Sequence, residues 1–569
     1  MSRCWSVLVV FVFACGSERR FPLRDPMWQD TDLASVNVRC HVEATKKDPH
    51  HIACAPKQYI SPLYWDGADN IVFRPLSETL GVVTSGESVN VNSVDEVPDS
   101  AWFTNRIGRG EMTVDEVSAG ACKPEQMLDP DHAPDGTWVI DKGKAEGSTG
   151  GFRITVPGKG KYMVKTEDAE DKPERQSAAS AIGVAIFHAA GYYTSCEQVV
   201  YLRPSVLKLE PGLTTQANLT PKVAFDRAAL DKLLAHCTKR GALVRVIASA
   251  WVEGHNVGPY TSRGVRADDP NDIIPHENRR ELRGMGVLAA WIARYDAREE
   301  NALDTWMADK KAVPDSSPGH LIHYQLDTSE ALGGDWGGDG SISKRLGKSY
   351  VFDWGDIARD FLTLGIPTRS WETVRNVPGR ALFGYFNISD FKADAWKNEY
   401  PNIAFSRMTE RDAAWAARIV AHFTPEMIEA LARLGKFTEA SNTRYLASVL
   451  EGRLERVLER YLLRLSPITD LRVEAGSSGL WLCGVDLAEW RHVRASSLFR
   501  YTARSFLGAQ LEVARRSGGG ICVALQHDAR ARYKRVVIDD GVAKGKLVAH
   551  LYDLGDQGFK LVGLERPPP

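Results

Sequence analysis

Apolar and polar residues alternate in short runs between residues 137 and 202, and Gly-rich turns separate several of these runs. Alternation with a period of two is typical of strands buried on one face, so this part of the chain predicts a small antiparallel sheet. A stretch with helical spacing interrupts it, beginning at Pro173 and ending at Gly191, because Pro suits the first turn of a helix and Gly ends one. The predicted order is strand 138–140, strand 152–156, strand 162–165, helix 173–191 and strand 196–202.

Helical spacing is the main pattern from residue 280 to residue 468, whereas short strands return after it. Residues 18–134 are rich in Pro, Asp, Asn and Ser, which predicts a loop-rich region with little regular helix. The remaining predicted elements are a strand at 243–253, helices at 280–295, 409–420, 424–435 and 446–465, and strands at 520–525, 535–538 and 547–552.

Together these patterns predict an α+β protein. A chain of 569 residues exceeds what one hydrophobic core normally organises, so several domains are expected. The expected parts are a leader at 1–15, a loop-rich region at 16–135, a β-rich lobe at 136–255, a helical lobe at 256–467 and a small β domain at 468–569.

The N-terminus predicts export. Arg3 precedes a short apolar run that ends just before Cys15, which resembles a bacterial lipoprotein signal. We therefore expect a lipid on Cys15 that anchors the protein to the cell envelope, with a soluble secreted or periplasmic protein as the alternative. The 71 basic and 73 acidic residues nearly cancel and are well mixed, which argues against a nucleic-acid surface.

Seven of the nine cysteines follow Cys15, and no two of them form a Cys-x-x-Cys pair. This spacing argues against a structural zinc site. In an oxidising compartment Cys40 and Cys54 could close a short loop, and the odd total leaves at least one free thiol.

Candidate chemistry begins with Asp296 and Asn301, which follow the predicted helix 280–295. Protein-kinase catalytic loops use the same interval to direct a carboxylate at a hydroxyl nucleophile and a carboxamide oxygen at magnesium. Asp296 is therefore the candidate catalytic base, and Asn301 is a candidate metal ligand.

The predicted sheet supplies a candidate phosphate site. Gly147, Gly150 and Gly151 lie in the turn between its first two strands, where backbone N–H groups can approach phosphate oxygens. The third strand ends in Lys165, and Glu174 opens the following helix. Glu174 either pairs with Lys165 and holds it toward phosphates, or simply suits the positive end of the helix dipole.

A second metal ligand is expected after the catalytic loop, and two aspartates compete for the role. Asp327 ends a short strand that needs one hairpin to return beside Asn301, whereas Asp353 lies about 50 residues beyond Asn301. We choose Asp327 for this reason and expect Asp353 to cap a helix that begins near Asp356.

Lys165, Glu174, Asp296, Asn301 and Asp327 occur in the order that protein kinases use, and on these residues the chain resembles the protein-kinase-like superfamily. It looks most similar to the divergent HipA- and CotH-type branches and to uncharacterised secreted or lipid-anchored bacterial proteins. The resemblance covers roughly residues 136 to 468. It implies a two-lobed fold with ATP and magnesium between a β-rich and a helical lobe.

The leading hypothesis is an atypical phosphotransferase that acts on a protein hydroxyl of unknown identity. Tyr295 stands where kinases place a basic or His residue, and Thr328 follows Asp327 in place of Phe. An inactive pseudokinase that binds a nucleotide or a partner is the first alternative. A structural envelope lipoprotein is the second.

Overall fold

The structure is a computed structural model, and it describes a large part of the chain. Both helices and strands are present, as the α+β prediction requires. The described residues are 21, 28–43, 48–59, 63–80, 86–110, 112–144, 150–167, 174–216, 221–309, 316–333, 344–375, 381–476, 479–505, 508–529 and 532–568.

The described α-helices are α1 Leu63–Ala68, α2 Arg74–Leu80, α3 Val114–Ala119, α4 Arg175–Ala190, α5 Arg227–Ala235, α6 Arg280–Ile292, α7 Trp354–Leu362, α8 Ile403–Ser406, α9 Glu410–Val420, α10 Pro425–Arg433, α11 Ala440–Tyr461 and α12 Leu487–Trp490. The described strands are β1 Val36–Arg39, β2 His41–Val42, β3 Ile52–Ala53, β4 Trp138–Gly143, β5 Gly151–Val156, β6 Gly160–Lys165, β7 Tyr193–Thr194, β8 Glu197–Leu202, β9 Leu207–Leu209, β10 Thr214–Thr215, β11 Val223–Ala224, β12 Lys239–Arg240, β13 Leu243–Ala250, β14 His255–Asn256, β15 Ala302–Ala308, β16 Ser316–Gln325, β17 Ile468–Gly476, β18 Gly479–Asp486, β19 Thr502–Ser505, β20 Gln510–Leu511, β21 Val513–Arg515, β22 Gly520–Leu525, β23 Tyr533–Asp539, β24 Leu547–Asp553 and β25 Phe559–Glu565.

The sheet predicted around Lys165 is confirmed. β4, β5 and β6 are consecutive antiparallel neighbours, and β13 lies between β6 and β8. Side chains alternate between the two faces of the sheet along each strand, and both faces are covered. One face packs on its own apolar core, and α4 covers the other, where Ala181 packs against Val199 and Ile247.

Helix α4 is buried almost all round, because it also joins the largest core of the molecule. That core gathers the inner faces of α6, α9, α10 and α11, in agreement with the helices predicted there. Helix α4 therefore packs against both the helical part and the sheet-bearing part of the molecule.

Arg245 of β13 joins these two parts directly. Its buried guanidinium donates to the Ser177 hydroxyl at 2.8 Å and to the Gly435 carbonyl at 2.6 Å. It also forms an ion pair with Glu167 at 3.0 Å. One side chain thus links the sheet, the start of α4 and the connection between α10 and α11.

A second sheet carries the strand that precedes Asp327. Its order is β1-β16-β15-β14, and β7 pairs with β16 in parallel. The N-terminal region, which the sequence predicts to be loop-rich, contributes β1 to this sheet.

Residues 468–565 form two further sheets, with strand orders β17-β18-β22-β21 and β20-β19-β23-β24-β25, around a core of their own. Disulfides join Cys40 to Cys54, Cys122 to Cys196 and Cys483 to Cys522, and Cys237 is a buried free thiol. The Cys40–Cys54 prediction is thus confirmed. Within the described residues, no helix is both long and apolar enough to cross a membrane.

Candidate functional site

Lys165 and Glu197 lie on the same face of the first sheet. Ser249 of β13 is directly opposite Met163 on one side and Glu197 on the other, and residues opposite each other in a sheet share a face. Lys165 is two residues after Met163 in β6 and shares that face as well. The sheet therefore directs a lysine and a glutamate toward the region beneath α4.

Lys165 forms an ion pair with Asp327, and the Nζ to Oδ2 distance is 2.6 Å. Their side chains are 16% and 32% exposed, so the pair lies at a partly open position. Burial alone would lower the pKa of Lys165, but Asp327 and then Glu197 hold it above its usual value. Burial alone would raise the pKa of Asp327, but Lys165 holds it below the usual range. Both groups are therefore charged at neutral pH.

Glu197 is the second acid near Lys165 and is 8% exposed. Ser195 donates to Oε1 at 3.2 Å, whereas Oε2 is buried without a hydrogen-bond partner in the part of the chain that the structure describes. Burial raises the pKa of Glu197 and Lys165 opposes the rise. Burying a carboxylate oxygen without a hydrogen-bond partner costs free energy. The positive charge of Lys165 offsets part of this cost for Glu197.

The backbones next to Asn301 and Asp327 are held together. The Leu326 N–H donates to the Asn301 carbonyl at 2.9 Å. Arg294, buried at the end of α6, donates to the Leu326 carbonyl at 2.7 Å and to the carbonyls of Asn301 and Asp327 at 3.4 Å. The strand that precedes Asp327 therefore returns beside Asn301, as the hairpin argument predicts.

Asp296 is held by Arg298, whose guanidinium donates to both carboxylate oxygens at 2.6 and 2.9 Å. Asn301 donates through Nδ2 to the Asp296 carbonyl at 3.1 Å, which leaves the carboxamide oxygen as the atom that could bind a cation. The Nε atom of Arg298 also lies 3.4 Å from Oε2 of the fully buried Glu399. Burial and then the charge of Asp296 raise the pKa of Glu399 to about 8.

Glu174 does not pair with Lys165 in this structure. Its carboxylate accepts from the Thr438 N–H at 3.0 Å and from the Thr438 hydroxyl at 2.5 Å. The physical reason is the backbone: helix α4 begins at Arg175, and Glu174 adopts a left-handed conformation with φ of 72°. The side chain is therefore not placed as a first-turn helical residue would be.

Asp353 is a helix cap, as expected. Its carboxylate accepts from the Asp356 N–H at 3.1 Å at the start of α7, and it forms an ion pair with Lys397. Both carboxylate oxygens thus have a structural role.

Gly150 and Gly151 lie beside Lys165, because Gly151 is directly opposite it in the sheet. A Cβ on Gly151 would come within 2.5 Å of the Val164 carbonyl oxygen, so only Gly fits there. Lys144 faces them across the hairpin, and burial followed by Lys165 lowers its pKa to about 8. The predicted Gly147 and Cys15 lie outside the described residues.

Roles for Glu197 and Glu399 were not predicted from the sequence. The hydrogen bonds by which Arg294 holds the backbones of Asn301 and Asp327 together were not predicted either. Strand alternation carried a signal for Glu197, because it lies on the same face as the apolar Val199 that α4 covers. Glu399 and Arg294 had no local signal, since their roles depend on contacts between distant segments.

Comparisons of this chain with models of protein families, with curated proteins and with solved structures gave no match. The chemistry of the site itself therefore has to carry the functional argument.

Proposed function

We propose that the protein is a protein-kinase-like phosphotransferase with two lobes, which transfers a phosphoryl group from magnesium ATP to a hydroxyl of another protein. The observation that carries this proposal is the 2.6 Å ion pair between Lys165 and Asp327, two residues 162 positions apart. It brings the lysine that ends β6 together with the acid that follows β16, next to the backbone of Asn301.

The residues present fit a magnesium nucleotide. A carboxylate and a carboxamide oxygen are the ligand types that magnesium prefers. Glu330 is a further acid near these residues: burial raises its pKa, Arg175 opposes the rise, and Asp296 and Asp327 add to it. The Oε2 atom of Glu330 is buried without a hydrogen-bond partner among the described residues.

The proposed roles follow from the contacts. Bound magnesium ATP would supply the phosphoryl group, and its magnesium ion would supply positive charge against the phosphates. Lys165 would bind phosphate oxygens, with Glu197 rather than Glu174 as the acid that remains beside it. Asp327 and Asn301 would hold the cation. Asp296 would accept the proton of the acceptor hydroxyl once Arg298 releases its carboxylate.

A nucleotide-binding protein without transfer activity is the second candidate. The bidentate bond between Arg298 and Asp296 supports it, because a carboxylate that is held in this way is a weaker proton acceptor.

We further propose that Cys15 is lipidated. Mass spectrometry of the envelope fraction tests this, and a mature N-terminus elsewhere contradicts it.

Two variants test the leading proposal. We expect Lys165→Met to weaken binding of a fluorescent ATP analogue with magnesium, because the lysine contacts phosphates in the ground state. We expect Asp296→Ala to bind almost normally and to lose transfer from labelled ATP by about 10²- to 10⁴-fold, because the base acts in the transition state. Lys161→Met, exposed on the same strand, is the matched control and should change neither.

If the wild-type protein binds nucleotide but transfers nothing with any metal, the second candidate is correct. If it binds no nucleotide, both candidates are wrong.

A further inference from the structure

A cavity of about 380 Å³ lies in the helical part of the molecule, away from Lys165 and Asp327. Loops form most of its wall, and Arg453 of α11 lies against it. Ala293, just after α6, and Gly333 also border it. Its volume is within the range of small-molecule sites, which is roughly 300 to 1,000 Å³.

Positive charge surrounds this cavity. Lys348, Lys392 and Arg453 line it, and Asp390 is the only carboxylate among its described lining residues. Burial lowers the pKa of Lys348; Asp390 opposes the effect, and Lys392 and Arg453 add to it. Lys392 and Arg453 are therefore each close enough to Lys348 to disfavour its charge, and one acid faces the three cations.

Neither Lys348 nor Arg453 uses its charge on a carboxylate within the described residues. Lys348 donates to the Asp390 carbonyl at 2.8 Å. Arg453 donates to the carbonyls of Ala290 and Trp291, each at 2.7 Å. Lys348 is half-buried and Arg453 is buried, and cations that are bonded to neutral oxygens leave a positive potential that an anion would neutralise.

Four aromatic residues also line the cavity. Tyr385, Phe386, Phe391 and Trp396 border the cavity. The Arg453 guanidinium lies over Phe391, 3.7 Å from the ring centre, and 4.5 Å from that of Phe386. Such stacking fixes the cation in place and leaves apolar surface for a ligand body.

We propose that this cavity binds a small organic anion, a carboxylate or a phosphate carried on an apolar or aromatic body. The anionic group would bind to Lys348 and Lys392, and the body would lie against the aromatic rings. This site is separate from the proposed nucleotide site, since it shares none of the residues assigned there.

Isothermal titration calorimetry with phenyl phosphate, benzoate, inorganic phosphate and neutral benzyl alcohol tests the proposal on the full chain. We expect phenyl phosphate, benzoate or both to bind at least about 10-fold more tightly than benzyl alcohol, because charge-assisted hydrogen bonds add to ring packing. The two aromatic anions distinguish a phosphate site from a carboxylate site. Inorganic phosphate alone should bind more weakly than phenyl phosphate.

Lys348→Met and Lys392→Met should each weaken the tighter aromatic anion by about 10-fold or more. Lys392 is exposed, so its variant tests the site without disturbing the fold. Lys208→Met, which replaces an exposed lysine on β9, should leave the affinity unchanged. The proposal is overturned if neither aromatic anion binds, if benzyl alcohol binds equally well, or if both cavity variants bind like the wild type.

Discussion

Glu174 precedes α4 in the chain and Glu197 follows it. Both acids are buried, and their neighbours give them different roles. Glu197 lies near the charge of Lys165, whereas Glu174 accepts hydrogen bonds from Thr438 and from the Tyr201 hydroxyl. Glu174 therefore connects the start of α4 to the segment before α11. Its effect on the protein should be structural.

Replacing Glu174 by Gln should lower the free energy of unfolding by about 1 to 3 kcal/mol, because the amide nitrogen that replaces one carboxylate oxygen is a donor and cannot accept a bond from Thr438. Binding of the ATP analogue should be unchanged. Chemical denaturation and nucleotide titration measure the two effects. Glu253→Gln, an exposed control, should stay within about 0.5 kcal/mol of the wild type. A large loss of nucleotide affinity with normal stability would return Glu174 to the site.

Glu399 should make stability depend on pH. Its pKa rises from 4.5 to about 8 in the folded protein, through burial and then Asp296. Between these values the unfolded chain releases the Glu399 proton and the folded chain keeps it. Stability therefore falls as pH rises through this window, by at most about 1.4 kcal/mol per pH unit for one group.

Glu399→Gln removes this group, so its free energy of unfolding should fall less steeply from pH 5 to pH 8 than that of the wild type. Denaturation curves at each pH unit measure the slopes. Asp296, Arg298 and Tyr400 face Glu399 and remain in both proteins. Equal slopes for variant and wild type would mean that Glu399 is already ionised in the folded state.

At the scale of elements, Asp353 illustrates how sequence letters and geometry can disagree. The segment Phe352-Asp353-Trp354-Gly355 resembles a kinase metal-binding motif more closely than Asp327-Thr328 does. The structure nevertheless places Asp353 at the start of α7, bonded to the Asp356 N–H and to Lys397. The position of Asp353 in the topology, not the letters around it, determines its role as a cap.

Asp353→Ala should therefore destabilise the protein by about 1 to 2 kcal/mol through the lost cap and leave magnesium nucleotide binding unchanged. Asp353→Asn, which keeps an oxygen that can cap the helix, should lose less. Thermal denaturation and nucleotide titration distinguish the two effects. Loss of magnesium dependence in either variant would instead make Asp353 the metal ligand.

Elements with a strong local pattern were predictable, and contacts between distant elements were not. The strands that became β4, β5 and β6 and the helices that became α4 and α6 follow from periodicity, because each buries one face or all of its surface. The left-handed backbone at Glu174 has no such signal. Because Glu174 has a positive φ, its side chain does not lie where the helix pattern would place it for pairing with Lys165.

At the scale of the whole molecule, the disulfides also show that local patterns are predictable from the sequence and contacts between distant elements are not. Cys40 and Cys54 are 14 positions apart, so local spacing predicts their pairing. Cys122 and Cys196 are 74 positions apart and meet only because β8 returns to the loop that contains Cys122. The topology of the sheet, which the sequence pattern does not specify, determines that pairing.

Removing Cys122–Cys196 with paired Ala substitutions should cost more stability than removing Cys40–Cys54. In the loop-entropy model a longer closed loop restrains the unfolded chain more, and the loss of such a bond is typically about 2 to 5 kcal/mol. Denaturation of the two double variants, compared with the wild type, measures the difference. Equal losses would show that restraint of the unfolded chain is not the main contribution.

The contacts of the Arg245 guanidinium affect how the protein unfolds. It is paired with Glu167 and donates to Ser177 and to the Gly435 carbonyl, so the first sheet and the helical part cannot separate without breaking buried hydrogen bonds to a charged group. The two parts should therefore lose structure in one cooperative transition. Backbone amides of β13 and of α10 would then exchange with deuterium through the same global opening, with the same opening free energy.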